Sequence, residues 1–159
     1  MKALTVWQPW ASLLAIGAKR YETRGWATNY RGQIAIHAAV KPVHESLTGL
    51  LLGAETYTAI IAALADHYRQ GRPGDLPTGA IIATAELIGC HEIRDDGSGK
   101  KLRAYIQRPN YHQEYIQGNE LLFGDFTPGR FAWELKSVRM LDKPIPAKGR
   151  QGLWNFEAA

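Results

Sequence analysis

In ALTV, residues 3–6, Leu4 and Val6 alternate with smaller or polar neighbours, which predicts a short opening strand. The period then changes. Pro9 suits a first helical position, Ala11, Leu13, Leu14 and Ala15 propagate a helix, and Gly17 suits the left-handed residue that stops it. RYETRGW, residues 20–26, predicts an exposed strand or turn, and GQIAIHAAV, residues 32–40, a more buried strand carrying the β-branched Ile34 and Ile36. The first third therefore reads β-α-β-β.

Between residues 42 and 70 the period becomes helical, and Tyr57, Ile60, Ile61, Leu64 and Tyr68 fall on one face; a helical pair is expected there. GRPGDLPTG, residues 71–79, is turn chemistry, and AIIATAELI, residues 80–88, is a nearly continuous apolar run that predicts a buried strand. Residues 94–129 hold no period for long. They predict an insertion with one short helix and no regular strand, of the length at which loops often carry function. Alternation returns in RFAWELKSVRML, residues 130–141, with Phe131, Trp133 and Leu135 on one face, and KPIPAKGRQGLWNF closes the chain. Short strands spread over the whole length with helices between them predict one α+β domain, residues 1–159, built round a small, mostly antiparallel β-barrel, with inserts near 42–75 and 94–128.

Charge sharpens this picture. Residues 1–42 carry six Lys/Arg against one Asp/Glu, residues 43–99 three against eight, and residues 100–159 ten against six. Basic ends that share a sheet suit an anionic partner. Cys90 is the single cysteine, no Cys/His set has zinc-ligand spacing, and no apolar run approaches the roughly 18 residues of a membrane span. With no export-type apolar segment near the N-terminus either, a protein of the reducing cytoplasm is expected, holding no metal and no cofactor.

The densest chemistry lies in WQPWASLLAIGAKRYETRGW, residues 7–26. Glu22, Arg24 and Trp26 share a strand face by the two-residue period, and Lys19, in the turn after Gly17, leans towards it. Placed beside Trp7 and Trp10, these residues have the composition of a small-ligand pocket, polar groups on apolar walls. On an open surface the same residues would form only an ion-pair ladder, worth about 0–1 kcal/mol.

The pattern WQPWASLL, GAKRYETRGW, RGQIAIHAA resembles the ASCH family, whose signature G-x-K-x-x-E-x-R is met by Gly17, Lys19, Glu22 and Arg24. The likeness continues through AIIATAELIGC, GRFAWEL and PIPAKGRQGLW. It implies a PUA-like β-barrel with a cleft beside the first helix, and RNA, single-stranded DNA or a modified nucleoside as partner. Trp7, Trp10 and Trp26 offer flat faces to a base, Gln8 and the adjoining Pro9 lie beside them, and the Gln8 amide can read a base edge. Arg24 and Arg31 can take a phosphate bidentately. Lys148 and Arg150, in a glycine-flanked loop, suit backbone contact, and His37 is a further pocket candidate.

The resemblance also opens an enzymatic alternative, a small metal-independent hydrolase acting on RNA or acetylated cytidine. Lys19 would be its base, or Glu22 would activate water while Lys19 stabilises the oxyanion. Glu22 stands where one similar amidohydrolase has a threonine; Thr23 is one residue away and is expected on the opposite strand face. A protein-interaction module acting through the acidic helices is the third alternative.

Overall fold

The computed structural model describes residues 1–41, 53–68, 75–98 and 103–157. The strands are β1 (Lys2–Val6), β2 (Tyr21–Arg24), β3 (Gly32–Ala38), β4 (Ala80–Asp95), β5 (Ala104–Gln107), β6 (Gln113–Tyr115), β7 (Phe131–Pro146) and β8 (Leu153–Asn155). Helices α1 (Trp10–Ala15), α2 (Ala54–Leu64) and α3 (Asn119–Leu122) lie between them. The sheet runs β2-β7-β4-β3-β1-β8, with β5 and β6 extending from β4. Among the described residues only β1 and β3 pair in parallel, and the other pairs are antiparallel. This is the mixed α+β, mostly antiparallel and barrel-like architecture expected.

The curl of the sheet can be read from one bond. Arg24, at the end of β2, donates from Nη2 to the Thr5 carbonyl of β1 at 2.7 Å, although three strands separate β2 from β1 along the sheet. Register shifts between β4 and β7 at Ile81/Ala83, Thr84/Glu86 and Leu87/Gly89 mark irregular pairing of the kind that bends a ladder. Inside the curl sit Leu4, Val6, Ile34, Ile36, Ala83, Leu87, Trp133 and Leu135.

A six-residue helix has little stability of its own, so α1 is held by what it packs against. Ala11, Leu14 and Ala15 join the sheet core, while Leu13 points the other way, into a second cluster with Ile60, Leu64, Leu76 and Phe123. The helix is thus clamped between the sheet and the helices of the two inserts. Gln8 secures its start, with Oε1 accepting from the Ser12 N–H at 3.0 Å and Nε2 donating to the Pro77 carbonyl at 2.7 Å. Gly17, at φ +76°, stops it as expected.

Several elements differ from expectation. The insert expected to hold no strand contains β5 and β6, an antiparallel pair whose Ala104 and Ile106 are buried with Ile93, Ile116 and Phe126. The strand is only four residues long, too short for its alternation to stand out among the flanking glycines and prolines. The RYETRGW segment is also less exposed than its polarity suggests: Tyr21 is fully buried and Glu22 is 6% exposed. Of the expected helical pair, α2 is present, and its inner face carries Ile60 and Leu64 while Tyr57 turns outward. The first member falls in residues 42–52, outside the described residues.

Candidate nucleic-acid interface

The geometry of the opening segment makes a cleft. Lys19 follows the helix stop, and its backbone N–H donates to the Leu13 carbonyl at 3.1 Å, so the turn after α1 is fixed. Two residues later β2 begins, held on one edge by β7 and at its start by Glu120 of α3. That carboxylate accepts from the Arg20 N–H at 2.9 Å and the Tyr21 N–H at 3.1 Å. Strand alternation then sends Tyr21 to one side and Glu22 to the other.

On the Glu22 side lies a cavity of about 410 Å³, within the range of about 300–1,000 Å³ usual for small-ligand sites. Lys19, Glu22 and Arg24 form its polar part, and Val6, Trp7, Trp10, Leu122 and Phe123 its apolar walls. Glu22 sits between two cations: its Oε1 lies 3.1 Å from Arg24 Nη2 and its Oε2 3.8 Å from Lys19 Nζ. The Lys19 side chain is 1% exposed and donates to the Tyr21 carbonyl. Burial drives its pKa down from the usual lysine range; Glu22 and Glu120 oppose that shift and Arg24 adds to it. Arg24 Nε is buried without a hydrogen-bond partner among the described residues, so the cluster is not self-satisfied.

The far wall comes from the second insert. A Cβ built on Gly124 would lie 2.6 Å from the Phe126 ring and 3.2 Å from Lys19 Nζ, so only glycine lets this loop close over the lysine. Asp125 and Arg130, paired at 3.2 Å, stand at the mouth. Phe123, Gly124, Asp125 and Arg130 were not singled out from sequence; the available signal was the glycine- and proline-punctuated GDFTPG loop. Thr23 also meets the cleft wall, against the alternation expected of it, because Asp125 comes round to donate its N–H to Thr23 Oγ1 at 3.1 Å.

The structure thus brings together Trp7, Trp10, Lys19, Glu22 and Arg24, and places the other sequence candidates elsewhere. Gln8 and Pro9 are buried, and both ends of the Gln8 amide are committed at the start of α1. Trp26 lies past the end of β2, its ring edge-to-face with Trp133 at 4.6 Å, because β2 stops at Arg24 and the face-sharing alternation stops with it. Arg31 bonds the Thr28 and Tyr30 carbonyls beside it. His37 is 1% exposed; its Nε2–H donates to the Ala147 carbonyl at 2.9 Å, and burial lowers its pKa. Lys148 and Arg150 are exposed on a loop tied to the cleft through the Thr5 hydroxyl, which donates to the Arg150 carbonyl at 2.9 Å. At the rim Lys41 lies 3.8 Å over the face of Trp7, which is 48% exposed. Among the described residues no His/Cys/Asp/Glu cluster has the arrangement of a metal site, and no helix is long and apolar enough to cross a membrane.

Residues 4–145 match the model of the ASCH domain. The chain belongs to the ASCH domain family. This ASCH domain is also similar to Activating signal cointegrator 1 of Homo sapiens, 29% identical over 156 residues, and to that of Mus musculus, 28% identical over the same length. In both cases the alignment covers 98% of this chain and 22% of the relative, so the chain spans about a fifth of the length of the curated relatives it matches. The match runs from Leu4, within β1, to Ile145, near the end of β7, and so takes in both sides of the cleft.

Proposed function

We propose that this ASCH domain binds single-stranded nucleic acid, seating one unstacked nucleotide in the cleft between α1, β2 and the Leu122–Asp125 loop. The observation that carries the reading is the pairing of an under-satisfied Lys19–Glu22–Arg24 cluster with tryptophan walls in one open cavity. Trp7 and Trp10 suit the face of a base, an interaction worth roughly 1–3 kcal/mol. Lys41, over the face of Trp7, and the exposed Lys148 and Arg150, on a loop bonded to Thr5 of the cavity wall, supply positive charge suited to the flanking phosphates. A cavity of this size takes a single nucleoside and not a stacked duplex.

The test is fluorescence anisotropy with labelled single-stranded and duplex oligonucleotides over a salt series. Single strands are expected to bind more tightly, with affinity falling linearly in log salt as phosphate contacts release counterions. Equal affinity for duplex, or salt-independent binding, overturns the reading.

The hydrolase reading is favoured by one observation, the buried Lys19 amine with its lowered pKa beside Glu22. Such an amine is available as a base nearer neutrality than an ordinary lysine. Product from RNA or acetylated cytidine that disappears in Lys19→Ala while binding persists supports it; no product from the wild type rules it out for those substrates.

A further inference from the structure

The order of charges in the cleft specifies more than a negatively charged ligand. Along the polar wall the groups run donor, acceptor, donor: the Lys19 ammonium, the Glu22 carboxylate in the middle, and the Arg24 guanidinium. Each Glu22 oxygen faces a single cation, at 3.1 Å and 3.8 Å, and a carboxylate offers about four lone-pair positions, so acceptor capacity remains towards the cavity. Lys19 has three donors, of which one serves the Tyr21 carbonyl, while the nearer Glu22 oxygen, at 3.8 Å, lies beyond hydrogen-bond distance. Arg24 has five, of which Nη2 serves Thr5 and Glu22. Arg24 lines the cavity, and its side chain is 26% exposed.

The complement of donor, acceptor, donor is a planar edge reading acceptor, donor, acceptor. Among the natural bases that is the pairing edge of uracil and thymine, two carbonyls flanking the N3–H. Cytosine presents a ring nitrogen acceptor at the middle position, where it would face the Glu22 carboxylate lone pair to lone pair. Guanine replaces one flanking carbonyl with an amino group aimed at a cation. Adenine offers a single donor beside a ring acceptor and lacks the second carbonyl. Mispairing at a buried site of this kind leaves unsatisfied groups, and a good two-point contact discriminates by about 1–3 kcal/mol.

We infer that the cleft is a reader of the imide edge, selecting an unpaired uracil or thymine through N3–H donation to Glu22 and carbonyl acceptance from Lys19 and Arg24. This rests on the nucleic-acid reading above and deepens it. Because the edge read is the pairing edge, the base must be out of any duplex.

The experiment is a binding series on the intact domain with single-stranded oligomers of uridine, thymidine, cytidine and adenosine, and with a uridine oligomer methylated at N3. Uridine or thymidine oligomers are expected to bind at least about tenfold more tightly than cytidine, and N3-methylation, which removes the donor while leaving charge and stacking, is expected to abolish that advantage. Comparing uridine with thymidine separates the RNA source of the edge from the DNA source. Glu22→Gln, nearly isosteric, is expected to narrow the uridine-to-cytidine ratio because an amide both donates and accepts. Binding of all oligomers with equal affinity, or indifference to N3-methylation, overturns the imide reading and leaves the nucleic-acid reading standing. Failure of every oligomer to bind overturns both.

Discussion

Strand β2 separates two charged clusters of opposite character. Behind it, around Tyr21, the Arg108 guanidinium donates to both Glu134 oxygens at 2.6 and 2.9 Å, to Glu114 at 2.5 Å and to the Tyr21 hydroxyl at 2.8 Å. His91 Nε2 reaches Glu134 at 3.0 Å, and Arg20 closes the set on Glu114. In front of it, Glu22 meets its cations at 3.1 and 3.8 Å, Lys19 is stripped of water, and Arg24 keeps an unpartnered nitrogen. One cluster is closed on itself and fastens the β5–β6 insert to the barrel; the other is open towards a cavity. The lesson is that charge density alone does not mark a site. Unspent hydrogen-bonding capacity facing a cavity does, because a ligand can complete it.

The largest effect expected from breaking this contrast is on stability. Glu134→Ala leaves Arg108 and His91 without their shared carboxylate. Removing one partner of a fully buried pair costs about 3–5 kcal/mol, and with Arg108 22% exposed about 2–3 kcal/mol is expected in urea unfolding, with oligonucleotide affinity unchanged. Lys19→Met should do the converse. Affinity is expected to fall at least about tenfold, while stability holds or rises, since an apolar side chain of similar length replaces a desolvated amine.

Trp7→Ala probes the wall of the cleft. Trp7 is half exposed, so unfolding free energy should move by less than about 0.5 kcal/mol, while loss of a stacking face costs roughly 1 kcal/mol of binding in an anisotropy titration. The smallest effect belongs to acid. Burial works to raise the Glu114 carboxyl, but hydrogen bonds from Arg108 and Arg20 outweigh it and hold the pKa at about 2, below the ordinary 4.5. The native state therefore binds this proton less readily than the unfolded chain. The stabilisation is complete above pH 4.5 and is lost as pH falls from there through about 2. Glu114→Gln should remove less than about one proton from the uptake on unfolding across that window, read from the pH dependence of urea midpoints.

Much of the barrel was legible because β7 alternates, β4 opens as a nearly continuous apolar run and β3 carries β-branched residues; these strands hold most of the core, and Gly17 and Pro9 bracket α1 by backbone chemistry that needs no tertiary context. The candidate site was half legible. Lys19, Glu22 and Arg24 are close in sequence, so a strand period and a helix stop suffice to bring them together. The opposite wall was not, since Phe123 and Gly124 reach the cleft from a hundred residues away and their contribution is a close approach that no local period encodes. Gln8 shows the reverse failure. Its amide looks free in sequence and is spent inside the fold, on Ser12 and Pro77. Trp26 likewise belongs to the strand-face pattern only until β2 ends.

The most direct test of the contrast between the two clusters is a backbone amide chemical-shift titration with a short single-stranded uridine oligomer. Shifts confined to Thr5–Trp10, Lys19–Arg24 and Leu122–Asp125, with Arg108, Glu114 and His91 unmoved, are the predicted result. Shifts centred on Arg108, Glu114 and His91, with the cleft unmoved, would contradict the account.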